Sequence, residues 1–405
     1  MDITAPLPPA SADDPSALAA AARAVLDPSG LGPIDRVPLI PEAARRRHRV
    51  FVPADHRFKA AARFMQALWR EDRGLAIGTH VDRREPHRPR RLGSRISTAA
   101  GALGGNFIHP DIVSVVARAL AYREPGAAYD VDRLKTNLLS SQPLAFNLFG
   151  PLARDLALAT RFVAELLPGT LTSVTDILFE HSPGRGDSRY TADRTAYDVV
   201  LRGRDATGAR ALLCIEIKYS EAGRESAPPP HPRHTEIARA TPGLFVDPDD
   251  PTLTGPACQQ LYRQHCLASA MLTAGLADKA TLAFIAPTHN SLAHAAATSY
   301  TRQLTHPQDG PIPFVPMTLE HAFVAIATAG LPDHARALHR RYTDYWLVDG
   351  ELELAAMAAS APTPVPSPAP TAQSTTDTPV GPKLPTRRSR PHATGPFPKQ
   401  VARAA

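Results

Sequence analysis

The 405-residue chain carries 45 Lys and Arg against 39 Asp and Glu, with a net charge of +6 and a pI near 9.4. That balance suits a polyanionic partner, because clustered cations release counterions from a phosphate backbone. No window approaches about 18 uninterrupted apolar residues, and the N-terminal "MDITAPLPPASADDPS" has neither a basic n-region nor an apolar h-region, so a soluble, non-exported protein without membrane contact is expected.

Three cysteines, Cys214, Cys258 and Cys266, form no CxxC pair and cannot all be bridged. They point to neither a zinc site nor a disulfide framework, and a reducing cytoplasm is the expected compartment. Arg greatly outnumbers Lys and Pro is abundant at 42 residues. A GC-rich coding bias explains both as well as a selected surface does, so arginine counts alone carry little.

In chain order, residues 1–40 are rich in Ala, Pro, Ser and Asp and are expected to lack fixed structure, apart from a short helix at "SALAAAARAVL". In "FKAAARFMQALWRE", Phe58, Ala62, Met65 and Trp69 recur at helical spacing and predict an amphipathic helix. "DRREPHRPRRLGSR" follows, read as a loop that carries arginines but no interleaved aromatics, compatible with a phosphate-contacting patch or a solvated surface. A helical pattern resumes at "PDIVSVVARALAYRE", so residues 41–134 read as a helical N-terminal region.

The next stretch, "FGPLARDLALATRFVAELLPG", predicts one helix with Pro151 in its first turn and Pro168-Gly169 at its end. Three short apolar runs follow, "SVTDILFE", "AYDVVLR" and "ALLCIEIKY", then a helix over "CQQLYRQHCLASAMLTAG" and a strand at "ATLAFIAP". Between them, residues 220–256 read as an irregular insertion, expected to be disordered. Residues 312–347 add a possible strand at "IPFVP" and two helices, and from about 358 a Pro, Ser and Thr tract is expected to form a disordered tail. The domain implied by these elements covers 135–350.

The second and third strands define a site by their register. "DATGA" joins them, and a three-residue loop with Gly last is a common type I turn plus bulge. Centring that turn on Thr207 sets Asp198 opposite Glu216. Opposed residues share a face with Cβ atoms about 4.5–5.5 Å apart. Two carboxylates so placed repel unless a cation lies between them, and Mg²⁺, which takes oxygen ligands and keeps several waters, suits the task. Lys218 falls on the same face as Glu216, about 6.5 Å further along, while Leu213, Ile215 and Ile217 point the other way into the core. A carboxylate pair with an adjacent ammonium is close to the equipment that phosphodiester hydrolysis requires.

An acidic residue two positions before a lysine is a weak signal alone. The apolar strand around it and an Asp on the preceding strand make it much more specific. The arrangement "AYDVVLR…LLCIEIKY", set after a helix and strand and before a helix and strand, resembles the PD-(D/E)XK nuclease superfamily, and a bacterial restriction-endonuclease-like group within it. The resemblance is best over 135–290 and weaker over 45–110. It implies an α/β fold with an αβββαβ core, a mixed four-stranded sheet flanked by helices and a site at one edge of that sheet. It also implies Asp198 and Glu216 as metal-binding carboxylates, Lys218 as the catalytic lysine, Mg²⁺ (or Mn²⁺) as cofactor and nucleic acid, DNA first, as partner. The Pro that names the motif is absent, since Tyr197 precedes Asp198.

The superfamily includes RNA-directed members and members that cleave nothing, so both remain alternatives. Glu180, ending the first strand, is a candidate third metal ligand or a surface acid. Gln260, on the helix after the lysine strand, is a candidate near the metal, and Arg185 and Arg189 are candidate phosphate contacts in the loop "HSPGRGDSRYTADR". The scattered histidines lack zinc-ligand spacing, and "GALGGN" lacks the ending of a phosphate loop.

Overall fold

Helices α1 (Glu42–Arg47) and α2 (Arg57–Asp72) open the ordered chain. The expected apolar stripe of α2 is buried, but so are Arg63, Gln66 and Arg70 on its other faces. The helix is therefore enclosed, and its polar groups are satisfied from within: Arg63 donates to Asp55 at 2.5 Å and to Ser94 Oγ at 2.8 Å, and Gln66 donates to Tyr219 Oη at 2.9 Å. The computed structural model describes residues 30–82, 85–223 and 229–360, with residues 20 and 23–27 besides. One compact unit spans Met1–Ala359. Most of the two terminal stretches expected to lack structure lies outside the described residues, as does all but the first residue of a second unit, Ser360–Ala405.

The arginine-bearing segment after α2 is not a loop. It forms a two-stranded antiparallel ribbon, β1 (Ile77–Asp82) with β2 (Glu85–Ile96), paired Gly78 to Leu92, Thr79 to Arg91 and His80 to Arg90. Its root decides the matter. Gly93 donates its N–H to Arg49 O at 2.8 Å, and a Cβ there would stand 2.1 Å from the His48 carbonyl oxygen, so only glycine lets the two backbones approach. The N-terminal region thus combines helices with a ribbon.

Short α3 (Thr98–Ala102), α4 (Pro110–Ala121) and α5 (Val131–Thr136) lead to α6 (Ser141–Arg154) and α7 (Leu156–Leu166). The single helix expected over 149–169 is therefore two, broken at Asp155, whose side chain caps α7 by accepting from Leu158 N. Pro151 lies inside α6 instead of its first turn. A proline there frees the carbonyl four residues back, and His334 takes it, with Nε2 2.8 Å from Asn147 O.

The sheet has five strands instead of four, in the order β3 (Ser173–His181), β4 (Tyr197–Arg204), β5 (Arg210–Ile217), β6 (Lys279–Ala286) and β7 (Phe314–Thr318). The first two pairings are antiparallel and the last two parallel. Between β5 and β6 run α8 (Pro232–Arg239), a short 3₁₀ turn and α9 (Gln259–Thr273). The insertion expected to be disordered is ordered over 229–256, because Ile237, Leu244, Phe245 and Leu253 are buried against α9; residues 224–228 lie outside the description. After β6 come α10 (Ser291–Thr301), then β7, α11 (Leu319–Thr328), α12 (Pro332–Tyr342) and α13 (Tyr345–Ser360).

Alternation along the central strands sends Val199, Leu201, Leu213, Ile215 and Ile217 to one core with α2, α6, α7, α11 and α12. Val200, Leu212, Cys214 and Phe284 face a second core under α8, α9 and α10. The mixed sheet with helices on both faces agrees with the α/β architecture expected from the strand order. All three cysteines are free and buried. Among the described residues no helix is long and apolar enough to cross a membrane.

Candidate functional site

The β4–β5 turn sets the site. Gly208 adopts φ +83, the left-handed conformation that glycine takes without strain, and Asp205 Oδ1 accepts from Thr207 N at 2.8 Å and Ala209 N at 3.0 Å. Arg204 consequently pairs with Arg210, and the same register runs out to Val199 opposite Ile215. This is the pairing centred on Thr207; the ladder ends there, one residue short of Asp198 and Glu216. The carboxylate of Asp198 reaches over the strand and accepts from Ile217 N at 2.8 Å.

Glu216 and Lys218 are buried at 3% and 7% exposure, which makes their pairing obligatory, not incidental. Lys218 Nζ lies 3.0 Å from Glu216 Oε1 and donates to Gln260 Oε1 at 2.6 Å. Gln260 in turn donates through Nε2 to Glu216 Oε1 at 2.6 Å, so one amide spans both charges. Gln264, one turn further along α9, donates to Glu216 Oε2 at 2.5 Å and to Ala196 O at 3.0 Å. Its i, i+4 spacing from Gln260 sets both amides on one face of the helix.

Electrostatics at the site are unbalanced. Burial, followed by repulsion from Glu216, pushes the Asp198 carboxyl well above the usual carboxylate range, although Lys218 and the Ile217 N–H act against the shift. Glu180 lies at the end of β3 with φ 50, a left-handed conformation uncommon outside glycine, and its carboxyl is also raised, by burial first. Glu216 adds to the Glu180 shift, and Arg185 opposes it with Nη2 3.8 Å from Glu180 Oε1. Two acids that resist ionisation beside a third create a demand for positive charge that Lys218 alone does not meet. That donor chemistry suits a hard divalent cation held by Asp198 and Glu216 and completed by water. Among the described residues no group of three His, Cys, Asp or Glu side chains forms a ready cage.

The segment after Lys218 is clamped by Glu221, which accepts from Arg133 at 2.7 Å, from Ser141 N at 3.1 Å and from Tyr219 N at 2.9 Å. Burial raises its carboxyl, but Arg133, Lys218 and these donors outweigh burial and hold it below the ordinary value. Neither Glu221 nor Glu124 stood out in the sequence. Glu124 holds the end of β3 by binding His181, Ser182 N at 2.9 Å and Arg185 Nη1 at 2.6 Å.

That last contact corrects the expectation for Arg185. Its side chain is 4% exposed and turned inward between Glu124 and Glu180, so both terminal nitrogens brace the loop, while Nε is buried. Arg189 is 77% exposed, paired with neighbouring Asp187 at 2.7 Å, and remains open to solvent.

Glu180, Asp198, Glu216, Gln260, Arg263 and Gln264 line one side of a cleft of about 1110 Å³ that opens between the β3–β4 loop and the start of α9. The site lies at the ends of β4 and β5, in the interior of the strand order and not at a sheet edge, because β6 and β7 extend the sheet beyond β5. A family model described as the PD-(D/E)XK nuclease superfamily matches residues 53–344, more than half of the chain. No curated protein and no solved structure matches.

Proposed function

Because the chain belongs to the PD-(D/E)XK nuclease superfamily, we propose that it hydrolyses phosphodiester bonds, with DNA as substrate and Mg²⁺ or Mn²⁺ as cofactor. The observation that carries this reading is the convergence of Asp198 and Glu216 in one cleft, with Lys218 Nζ 3.0 Å from Glu216 behind them and Asp198 held in an environment that disfavours its charge until a cation arrives. Asp198 and Glu216 would hold the metal, and Glu180 would assist through water. A bound divalent cation supplies an acidified water and neutralises a phosphate oxygen.

The chain's own groups do the rest. Gln260 and Gln264 lock the Glu216 rotamer from both oxygens. Lys218, held against Glu216 and Gln260, presents an ammonium where negative charge accumulates on the pentacovalent phosphorus, and it can orient the attacking water. Water oxygen bonds to phosphorus and gives up a proton to solvent, the P–O bond to the leaving nucleoside oxygen breaks, and that oxygen takes a proton from solvent.

A catalytically silent module is the second reading, favoured by one feature: Glu216 is already satisfied by two glutamines and a lysine. The test incubates supercoiled, linear and single-stranded DNA and RNA with the full chain and Mg²⁺ or Mn²⁺, beside Asp198→Ala, Lys218→Ala and a chelator control. Cleavage by the parent protein that falls at least a hundredfold in both variants and vanishes with chelator is expected. Equal nicking by all three proteins sinks the assignment, and cleavage confined to RNA changes the substrate.

A further inference from the structure

The ribbon β1–β2 has an outer half whose described residues are largely exposed. Pro86, His87, Arg88, Pro89, Arg90 and Arg91 are all exposed, as are Thr79 and Val81 on the facing strand. A bare two-stranded hairpin is marginally stable in water, so its persistence depends on the root. There Gly93 binds Arg49 O, Arg70 donates to Gly93 O at 2.9 Å, and Leu138 N donates to Ser94 O at 3.1 Å. Arg95 also binds Asp132 at 2.8 Å, one residue from the Arg133 that clamps Glu221 behind Lys218. The arm is thus rigidly based on the segments that fix the end of β5.

Three features say what the arm meets. Arg88 and Arg90 are both exposed, at the stretch where the ribbon register shifts between the His80–Arg90 and Asp82–Glu85 pairs, and among the described residues neither pairs with a carboxylate. Pro86 and Pro89 lack the N–H groups that a strand partner would need, which argues against pairing with another chain's edge. Beyond the Thr79–Arg91 pair the facing strand runs only to Asp82, which pairs with Glu85, so the outer half projects about 10 Å at about 3.4 Å per residue. A two-stranded ribbon enters the major groove of B-form DNA, about 12 Å wide and about 8.5 Å deep, whereas the major groove of duplex RNA is too narrow.

We propose that β1–β2 is a DNA-docking arm that lies in the major groove of a duplex, with Arg88 and Arg90 on the flanking phosphates, and holds the helix against the site around Lys218. The choice of nucleic acid as partner rests on the functional reading above; the arm and its geometry do not. Duplex binding is measured by fluorescence anisotropy for the full chain carrying Lys218→Ala, in chelator, with and without Arg88→Gln/Arg90→Gln. Duplex DNA, single-stranded DNA and duplex RNA are compared across a salt series.

The expected result is on the order of tenfold weaker duplex DNA binding and a slope of log K against log salt reduced by about 2, since each phosphate contact contributes about 0.9. Single strands and duplex RNA should change little, and thermal unfolding should be unaltered because these side chains are exposed. Unchanged duplex binding, or equal weakening on all three nucleic acids, overturns the arm. The same double variant with native Lys218 keeps the two ideas apart. If the parent cleaves and binding is insensitive to the arm, only the arm fails; if nothing cleaves, the nuclease reading fails while the binding series still judges the arm.

Discussion

Gln264 and Asp198 define the site most sharply at the scale of single residues. Gln264 ties Glu216 Oε2 to the backbone of Ala196, so Gln264→Leu removes a donor from a buried carboxylate while keeping the bulk of the side chain. An unpaired buried acceptor costs about 1–3 kcal/mol. Unfolding midpoints should fall accordingly, and metal titration by calorimetry should show weakened affinity, because Glu216 loses its fixed orientation. Asp198 gives the opposite effect. Its folded-state pKa is raised, so below the unfolded value it is protonated in both states, and as pH rises past about 4 the unfolded chain ionises freely while the folded carboxyl resists, which costs stability. In chelator, Asp198→Asn should therefore melt higher than the parent at pH 7, by about 2 °C, with the advantage shrinking to nothing near pH 3. A melting point that drops at pH 7 would show that Asp198 is not under electrostatic strain. Metal binding should restore the parent's stability and leave the Asn variant unchanged.

At the scale of elements, the β3–β4 connection is held by an inward arginine. Arg185 joins Glu124, from the end of the α4 region, to Glu180 at the end of β3. Burial raises the Glu124 carboxyl, but His181, the Ser182 N–H and Arg185 outweigh it and bring the net shift below the ordinary value. Arg185→Ala leaves two acids facing each other without their cation, and a loss of about 3 kcal/mol is expected in urea unfolding, with the m-value unchanged. The same change should accelerate proteolysis of residues 182–187, whereas the rest of the loop stays anchored by buried Tyr190 and by Asp193, 3.3 Å from Arg263. A variant that cleaves DNA poorly but unfolds like the parent would instead return Arg185 to substrate contact.

At the scale of the compact unit Met1–Ala359, Arg341 on α12 is a fully buried cation that joins distant segments. It donates to Asn106 O at 2.8 Å and Asn106 Oδ1 at 2.5 Å, stacks on Trp69 at 3.9 Å, and its carbonyl accepts from Gln66 at 2.7 Å. These contacts weld α2 and the 103–109 turn to the C-terminal helices, and the core shared by Phe64, Phe149 and Phe323 is continuous across them. Arg341→Ala should cost about 4 kcal/mol through the cavity and the stranded Asn106 acceptors. The unfolding transition should remain single when followed by both Trp fluorescence and far-UV circular dichroism. Two separated transitions would mean that residues 41–134 form an independent domain, as their different sequence pattern suggested.

Local rules were enough for the centre of this protein. A glycine at position 208 and alternation along two strands place Asp198, Glu216 and Lys218 on one face, because hairpin register depends only on the turn and a period of two. The helix of Phe58, Met65 and Trp69 was legible for the same reason, and so was the order of strands. Partners distant in sequence left no such trace. His334 relieving Pro151, Glu124 drawing Arg185 inward and Gly93 slipping under the His48 carbonyl each join segments separated by tens of residues or more. Composition resolved nothing for the arginine-rich segment, since "DRREPHRPRRLGSR" reads as polar whether it is a loop or a ribbon. Its root hydrogen bonds to Arg49 and Leu138 made it a strand, and those bonds exist only once the helices on either side have packed.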